Sequence, residues 1–267
     1  MTLRPCTSEP RRGSGHSPLA ESEHVFDTRE MAAAERVTDL RLVADKVAPL
    51  ALARERTMPL LPALTSLFPE GGLRRGSMVA VGGVGATSLA LAVAAGPSAS
   101  GSWTAVVGDP GLGLAAAAES GVVLERMLVI DPRGQDAAGV VAALVGAVDV
   151  VVVGPGVRIR PADVRRLSSR MRERGSVLIR IGSLDEPGVD IGLRIVESEW
   201  TGLGVGHGLL RARRVRIETQ GRGSAAQPRG AAMLLPGPQG APIALGEHAL
   251  GEHAPETEAR PELRVLA

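Results

Sequence analysis

The sequence predicts an α/β fold: a mostly parallel sheet with helices on both faces and an antiparallel C-terminal edge. Three observations point there. Short apolar runs alternate with helix-length segments from residue 60 to residue 181, the signature of parallel strands joined by helical crossovers. The run VDVVVV at 148–153 is almost unbroken in β-branched residues, as in a strand buried on both faces. Three strand-like segments then follow with no helix between them, at 193–199, 209–219 and 231–235, and these pair antiparallel.

Each element has its own warrant. Residues 1–27 are rich in Ser, Pro, Gly, Glu and Arg and read as a disordered N-terminal tail. Residues 28–59 read as a helical segment, capped by Asp27 or Thr28 and interrupted at Pro49. The core domain spans 60–235. Its first buried strand is 78–81, and a Gly-rich turn then opens a helix over 86–95. Strands follow at 103–107, 126–130, 148–153 and 176–181, with helices at 115–120, 137–145 and 161–174. Pro161 suits the first turn of the last helix, and Gly121 ends the first of these three. Residues 236–267 are rich in Pro, Gly and Glu and read as a disordered tail. Its duplicated LGEHA is too short a series for a structural repeat.

Composition removes several function classes. The chain has 267 residues, 44% of them hydrophobic, enough for a sizeable core. Its aromatics are Phe26, Phe68, Trp103 and Trp200, too few for base-stacking platforms along a nucleic-acid strand. Net charge is +1, so no global field draws the chain to DNA or membrane. Of the 30 basic residues only Lys46 is a lysine. Cys6 is the single cysteine, which excludes an intrachain disulfide and a cysteine-based zinc site. No apolar run reaches the length of a membrane span, and the N-terminus lacks the apolar stretch of a signal peptide. The expected location is the cytoplasm, and no metal is expected.

Strand, Gly-rich turn, helix is the setting of a phosphate-binding loop, where backbone N–H groups at a helix start cradle phosphate. Here Gly82, Gly83 and Gly85 form the turn and Thr87 and Ser88 supply hydroxyls. The position of the phosphate-binding lysine is Ala86, and the loop is short. The strand at 148–153 runs into Gly154 where a magnesium-holding acid belongs, and Asp149 stands at its other end. The water-orienting acid would fall near Pro110, with Asp109 beside it. Three charges are absent or displaced, so no catalytic residue is expected. The backbone donors leave weak ATP binding at a vestigial site open, with no obligatory cofactor.

The segments GGLRRGSMVAV, GVGATSLALA, GAVDVVVVG and RARRVRIETQGRGSAAQPRGAAMLLP together resemble the RecA-like recombinase core over about residues 60–235. LFPEGGLRRGS and GLGVGHGLLRARRV are similar to one group within it, the ImuA-prime accessory proteins of the actinobacterial translesion mutasome. The resemblance implies a RecA-like P-loop-type fold whose lysine and Walker B acid fall on Ala86 and Gly154. It also implies a non-catalytic adaptor in SOS-induced translesion synthesis, nucleoid-associated on DNA damage. The implied partners are an ImuB-type Y-family polymerase homologue and, indirectly, an error-prone C-family DNA polymerase. The alternative is a degenerate RecA-like DNA-binding protein that modulates recombination or repair.

Between residues 156 and 222 stand 14 arginines against 8 carboxylates. Arg165, Arg166 and Arg170 mark a helix, and Arg211, Arg213, Arg214 and Arg216 mark a strand. They read either as a surface for DNA phosphates or an acidic partner, or as solvated faces in a chain that uses arginine for nearly every positive charge. The short acidic stretch GSLDEPGVDIG argues against a RecA-like mode of DNA contact. His207, in GVGHG, has no visible metal or triad partner, and His248 and His253 lie in the tail. The run 63–68 faintly resembles a sliding-clamp peptide but lacks its initial Gln, and reads as core.

Overall fold

The computed structural model describes residues 56–132, 136–203 and 208–246. The expectations for 1–55 and 247–267, including Cys6, Lys46, His248 and His253, and for His207 lie outside the described residues.

One nine-stranded sheet organises the fold. Its strands are β3 (Met78–Gly82), β4 (Thr104–Val107), β5 (Met127–Ile130), β6 (Val150–Val153), β7 (Val177–Ile181), β8 (Ile191–Leu203), β9 (Gly208–Gly221), β10 (Gly230–Leu234) and β11 (Ile243–Leu245). Across the sheet they run β11-β10-β9-β8-β3-β7-β6-β4-β5. From β5 to β8 every pairing is parallel, and β9, β10 and β11 each add antiparallel. This is the mostly parallel α/β sheet with an antiparallel C-terminal edge expected from the sequence, with one refinement: β8 belongs to both halves, parallel to β3 and antiparallel to β9.

The alternation of side chains divides two cores. Val79, Val81, Val150, Val152, Val177 and Ile179 face helix α1 (Ala86–Ala99). Met78, Ala80, Val151, Val153 and Leu178 face α3 (Ala137–Val145) and α4 (Pro161–Arg174). Helix α2 (Leu114–Glu119) packs on α1 through Ala117 against Leu91 and Ala95. Each fully buried Val or Leu contributes about 1.5–3 kcal/mol of transfer free energy, so the valine runs of β6 and β4 set the register of the centre.

Three differences from the sequence reading have physical reasons. Helix α1 does not stop at Gly96 but runs through Pro97 to Ala99. A proline in the last turn forfeits only its own N–H, and the carbonyls of Gly96 and Pro97 are taken by the Ser100 N–H. Residues 57–58, expected to be helical, form strand β1 (Thr57–Met58), antiparallel to β2 (Leu73–Arg74). The β-branched Thr57 and the following Pro59 favour extended backbone there. The core does not end at 235, because β11 covers the free edge of β10. The intervening turn hid it, since Pro, Gly and Gln carried no hydrophobic period. The clamp-like run forms part of a 3-10 helix, Pro62–Leu67, with Ala63, Leu64, Leu67 and Phe68 all buried, so it is core.

Candidate functional site

The Gly-rich turn lies at the carboxyl end of β3, where open α/β sheets place their ligands. Gly83 and Gly85 adopt φ of 94° and 82°, and the Ala86 N–H donates to the Gly83 carbonyl over 3.2 Å. The turn is therefore tight, and no side chain caps α1. Thr87 and Ser88 sit half-buried in the first turn of the helix. Ala86, at the lysine position, is 8% exposed, its methyl in the α1-side core.

The loop is pressed onto the sheet. A Cβ at Gly83 would overlap the backbone carbonyl of Ile195 on β8, and one at Gly85 would overlap the guanidinium of Arg213 on β9. Arg213 is 4% exposed. Its Nε donates to the buried carbonyl of Leu235 at 2.7 Å, its Nη1 reaches the Val84 carbonyl at 3.5 Å, and its charge lies 5.5 Å from the Trp200 ring centroid. Its Nη2 is buried without a hydrogen-bond partner. Burial pulls its pKa below the ordinary arginine value, yet a guanidinium starts so high that it stays protonated. One side chain thus ties the turn, the hairpin of β8 and β9, and the end of β10 together. Val84, at the tip, is left 74% exposed.

The Gly154 position is closed by backbone. A Cβ at Gly154 would overlap the Gly108 carbonyl, because the Gly154 N–H continues the β4–β6 ladder to the Val107 carbonyl at 2.8 Å. Gly108, with φ of 71°, is itself covered by Val157. Asp109 stands in this turn, its Cβ 3.1 Å from where a Gly154 Cβ would fall, and Pro110 beside it is exposed. Asp149 is structural: at the opposite end of the sheet it accepts from the Trp103 N–H at 3.0 Å and pairs with Arg75 at 3.5 Å. A magnesium nucleotide does not fit these residues. Ala86 is a buried methyl, Gly154 has no room for a side chain, and the tethered Arg213 guanidinium lies against Gly85. No group of three or more metal-ligating residues occurs among the described residues.

The structure separates the two arginine clusters. On β9, Arg213 is buried, Arg216 pairs with Glu197 at 2.9 Å and Glu218 at 3.2 Å, and Arg214 is engaged; only Arg211 projects freely into solvent. Three of the four expected arginines of this strand are thus buried or engaged by neighbouring groups. Its period already said so: Arg213 is in phase with Val215, Ile217 and Thr219, all buried, whereas Arg214 and Arg216 alternate with them. On α4, by contrast, Arg165, Arg166, Arg170, Arg172 and Arg174 are all exposed and make no ion pair among the described residues. A second guanidinium sequence reasoning missed is Arg180 on β7. It is buried, its pKa is lowered by that burial, and it is paired with Glu186 from the loop that follows.

Comparison with known proteins gives three findings. A family model, the MT3502 N-terminal domain, matches residues 66–186, which include the Gly-rich turn and α4 but end before the hairpin that carries Arg213. The protein Rv3395c of Mycobacterium tuberculosis (strain ATCC 25618 / H37Rv) is 33% identical over 206 residues, covering 74% of this chain and 96% of that protein. Among solved structures, the flagellar accessory protein FlaH from Methanocaldococcus jannaschii aligns with a TM-score of 0.44 and 11% identity, over 67% of this chain and 93% of that one. Among the described residues no helix is long and apolar enough to cross a membrane.

Proposed function

The chain belongs to the family of the mycobacterial protein Rv3395c, and we propose that it serves as a non-catalytic adaptor with a RecA-like core in SOS-induced translesion DNA synthesis. In this reading it binds an ImuB-type Y-family polymerase homologue, and through it an error-prone C-family polymerase, in the cytoplasm at the nucleoid. The observation that carries the non-catalytic part is the closure of the Gly154 position by the Gly108 carbonyl. Phosphoryl transfer needs several charges positioned together, and here Ala86 and Gly154 supply neither the lysine nor the magnesium-holding acid. The translesion part is supported by the segments LFPEGGLRRGS and GLGVGHGLLRARRV, which resemble the ImuA-prime group.

The test is a pull-down of the full chain from DNA-damaged cells, with and without nuclease, beside an ATPase assay on the purified protein with and without DNA. Recovery of a polymerase homologue that survives nuclease, with no DNA-stimulated turnover, is the expected result. ATP turnover abolished by Thr87→Ala overturns the non-catalytic reading. Loss of every partner on nuclease treatment favours the second reading, a degenerate RecA-like DNA-binding protein, for which the five unpaired arginines of α4 speak.

A further inference from the structure

Helices α3 and α4 run side by side over the sheet and leave a groove of about 260 Å³ between them. Its floor is apolar and low: Ala138, Gly139 and Ala142 from α3, and Leu167 from α4. Its α4 wall carries Arg166 and Arg170, one turn apart. Both arginines are exposed and without an ion pair among the described residues. Arg170 extends across towards the end of α3, its Nη2 2.5 Å from where a Cβ at Gly146 would stand. The two carboxylates at the groove each have a partner, and Asp136 lies with its Oδ2 beside Gly139 at the α3 start. Asp163 pairs with Arg160 at 3.4 Å, and Asp136 caps α3 by accepting from the Ala138 N–H at 3.2 Å.

We propose that this groove docks an acidic, amphipathic segment of a partner protein, with an apolar side chain on the Ala–Gly floor and carboxylates on Arg166 and Arg170. The charge is complementary because like-charged arginines at four-residue spacing repel along the helix, and neither makes an ion pair among the described residues. Carboxylates meet the guanidinium fork in bidentate geometry. The floor decides between peptide and nucleic acid. A phosphate backbone has no use for an apolar floor, a duplex does not enter a groove of this volume, and the groove has no aromatic side chain on which a base could stack. A peptide helix or strand with one or two projecting apolar side chains uses all of these features at once. The inference rests on the adaptor reading only in requiring a protein partner.

The test uses the full chain and a defined probe: a short fluorescein-labelled peptide of glutamates carrying two leucines one helical turn apart. The controls are the same peptide with lysine for glutamate, and a labelled DNA duplex. Fluorescence anisotropy should show binding of the acidic peptide alone. Affinity should fall by about tenfold or more in the Arg166→Glu/Arg170→Glu variant, and likewise in Ala142→Leu, which fills the floor without changing charge. Arg166→Gln/Arg170→Gln replaces the first variant if charge reversal unfolds the protein, as judged by thermal melting. No binding of the acidic peptide, equal binding of the lysine peptide, or affinity untouched by both variants overturns the proposal. So does loss of duplex DNA, rather than peptide, from the same arginine variant. Failure here leaves the adaptor reading to its own measurements, nucleotide turnover and nuclease-resistant partners, which do not involve this groove.

Discussion

Replacing Arg213 by methionine removes a buried charge while keeping most of the side chain's length and apolar stem. The variant loses the bond from Nε to the Leu235 carbonyl, which is buried and has this guanidinium as its partner. A hydrogen bond from a charged donor contributes about 1.5–3 kcal/mol net. The stack on Trp200, a residue 40% exposed, adds about 0.5–1 kcal/mol. Against this, a desolvated guanidinium with an unsatisfied Nη2 costs about 1–2 kcal/mol, and that is recovered when it goes. The balance is a destabilisation of about 1–2 kcal/mol, which in a domain of this size lowers Tm by about 2–8 °C. Urea unfolding measures it directly, followed by tryptophan emission, to which Trp103 and Trp200 both contribute. The more searching measurement is a double-mutant cycle with Gly85→Ala. Alone, the new methyl is driven into the guanidinium and also meets the left-handed φ of 82°, itself about 1–2 kcal/mol. In the Arg213→Met background only the backbone strain remains, so the two changes should couple by about 1 kcal/mol or more. Strict additivity would refute the claim that Arg213 holds the loop down, whatever the single mutants do.

Gly154→Asp, which restores the magnesium-holding residue in name, should destabilise by about 3 kcal/mol and confer no ATP turnover, because its Cβ has nowhere to go but into the Gly108 carbonyl. Equilibrium unfolding and a phosphate-release assay check both halves. Ala86→Lys should likewise yield no ATPase, since it supplies neither acid; hydrolysis gained by this one change would reveal acids acting from unrecognised positions. Arg180→Met breaks the pair with Glu186, but Glu186 remains partly solvated, so the loss should be about 1–2 kcal/mol rather than the full cost of orphaning a buried charge. Any DNA binding should be weak and fall steeply as salt rises from low to physiological concentration, as expected of phosphate contacts without stacking. An affinity indifferent to salt in a filter-binding titration would contradict it.

Much of the sheet was legible because its strands carry their burial in their composition. The β-branched run of β6 could hardly be anything else, and the start of α4 follows from Pro161 at its first turn. Strand β11 was not legible, because three residues after a Pro- and Gly-rich turn carry no period and exist only by pairing with β10. At the site, the identities of Ala86 and Gly154 were plain from the sequence alone. The contacts around them were not. Closure of Gly154 depends on the path of the β4 turn, and the position of Arg213 over Gly85 depends on how far the hairpin reaches, neither of which any local pattern encodes. The phase of Arg213 with Val215 and Ile217 was the one available signal, obscured by reading four neighbouring arginines as a cluster.

These contacts also bear on whether the turn is a decayed site or a rebuilt one. A site that had only lost its charges would accept side chains at its glycines and acids restored one at a time. Here the glycines are required by what now lies against them. Gly83 abuts the Ile195 backbone, Gly85 abuts the Arg213 guanidinium, and Gly154 abuts the Gly108 carbonyl. The two halves close independently, one by a side chain from β9 and the other by main chain from β4, so undoing either leaves the other shut. Reopening the loop alone, as Arg213→Met does, therefore exposes backbone donors without creating a place for magnesium. That variant should at most gain weak affinity for phosphate, and pairing it with Ala86→Lys should strengthen that affinity while turnover stays at background. Isothermal titration with ATP and with inorganic pyrophosphate separates the two effects. If the Arg213→Met/Ala86→Lys protein hydrolysed ATP, the Gly154 closure would have to yield on ligand binding, and a rebuilt, packed site would be the wrong description.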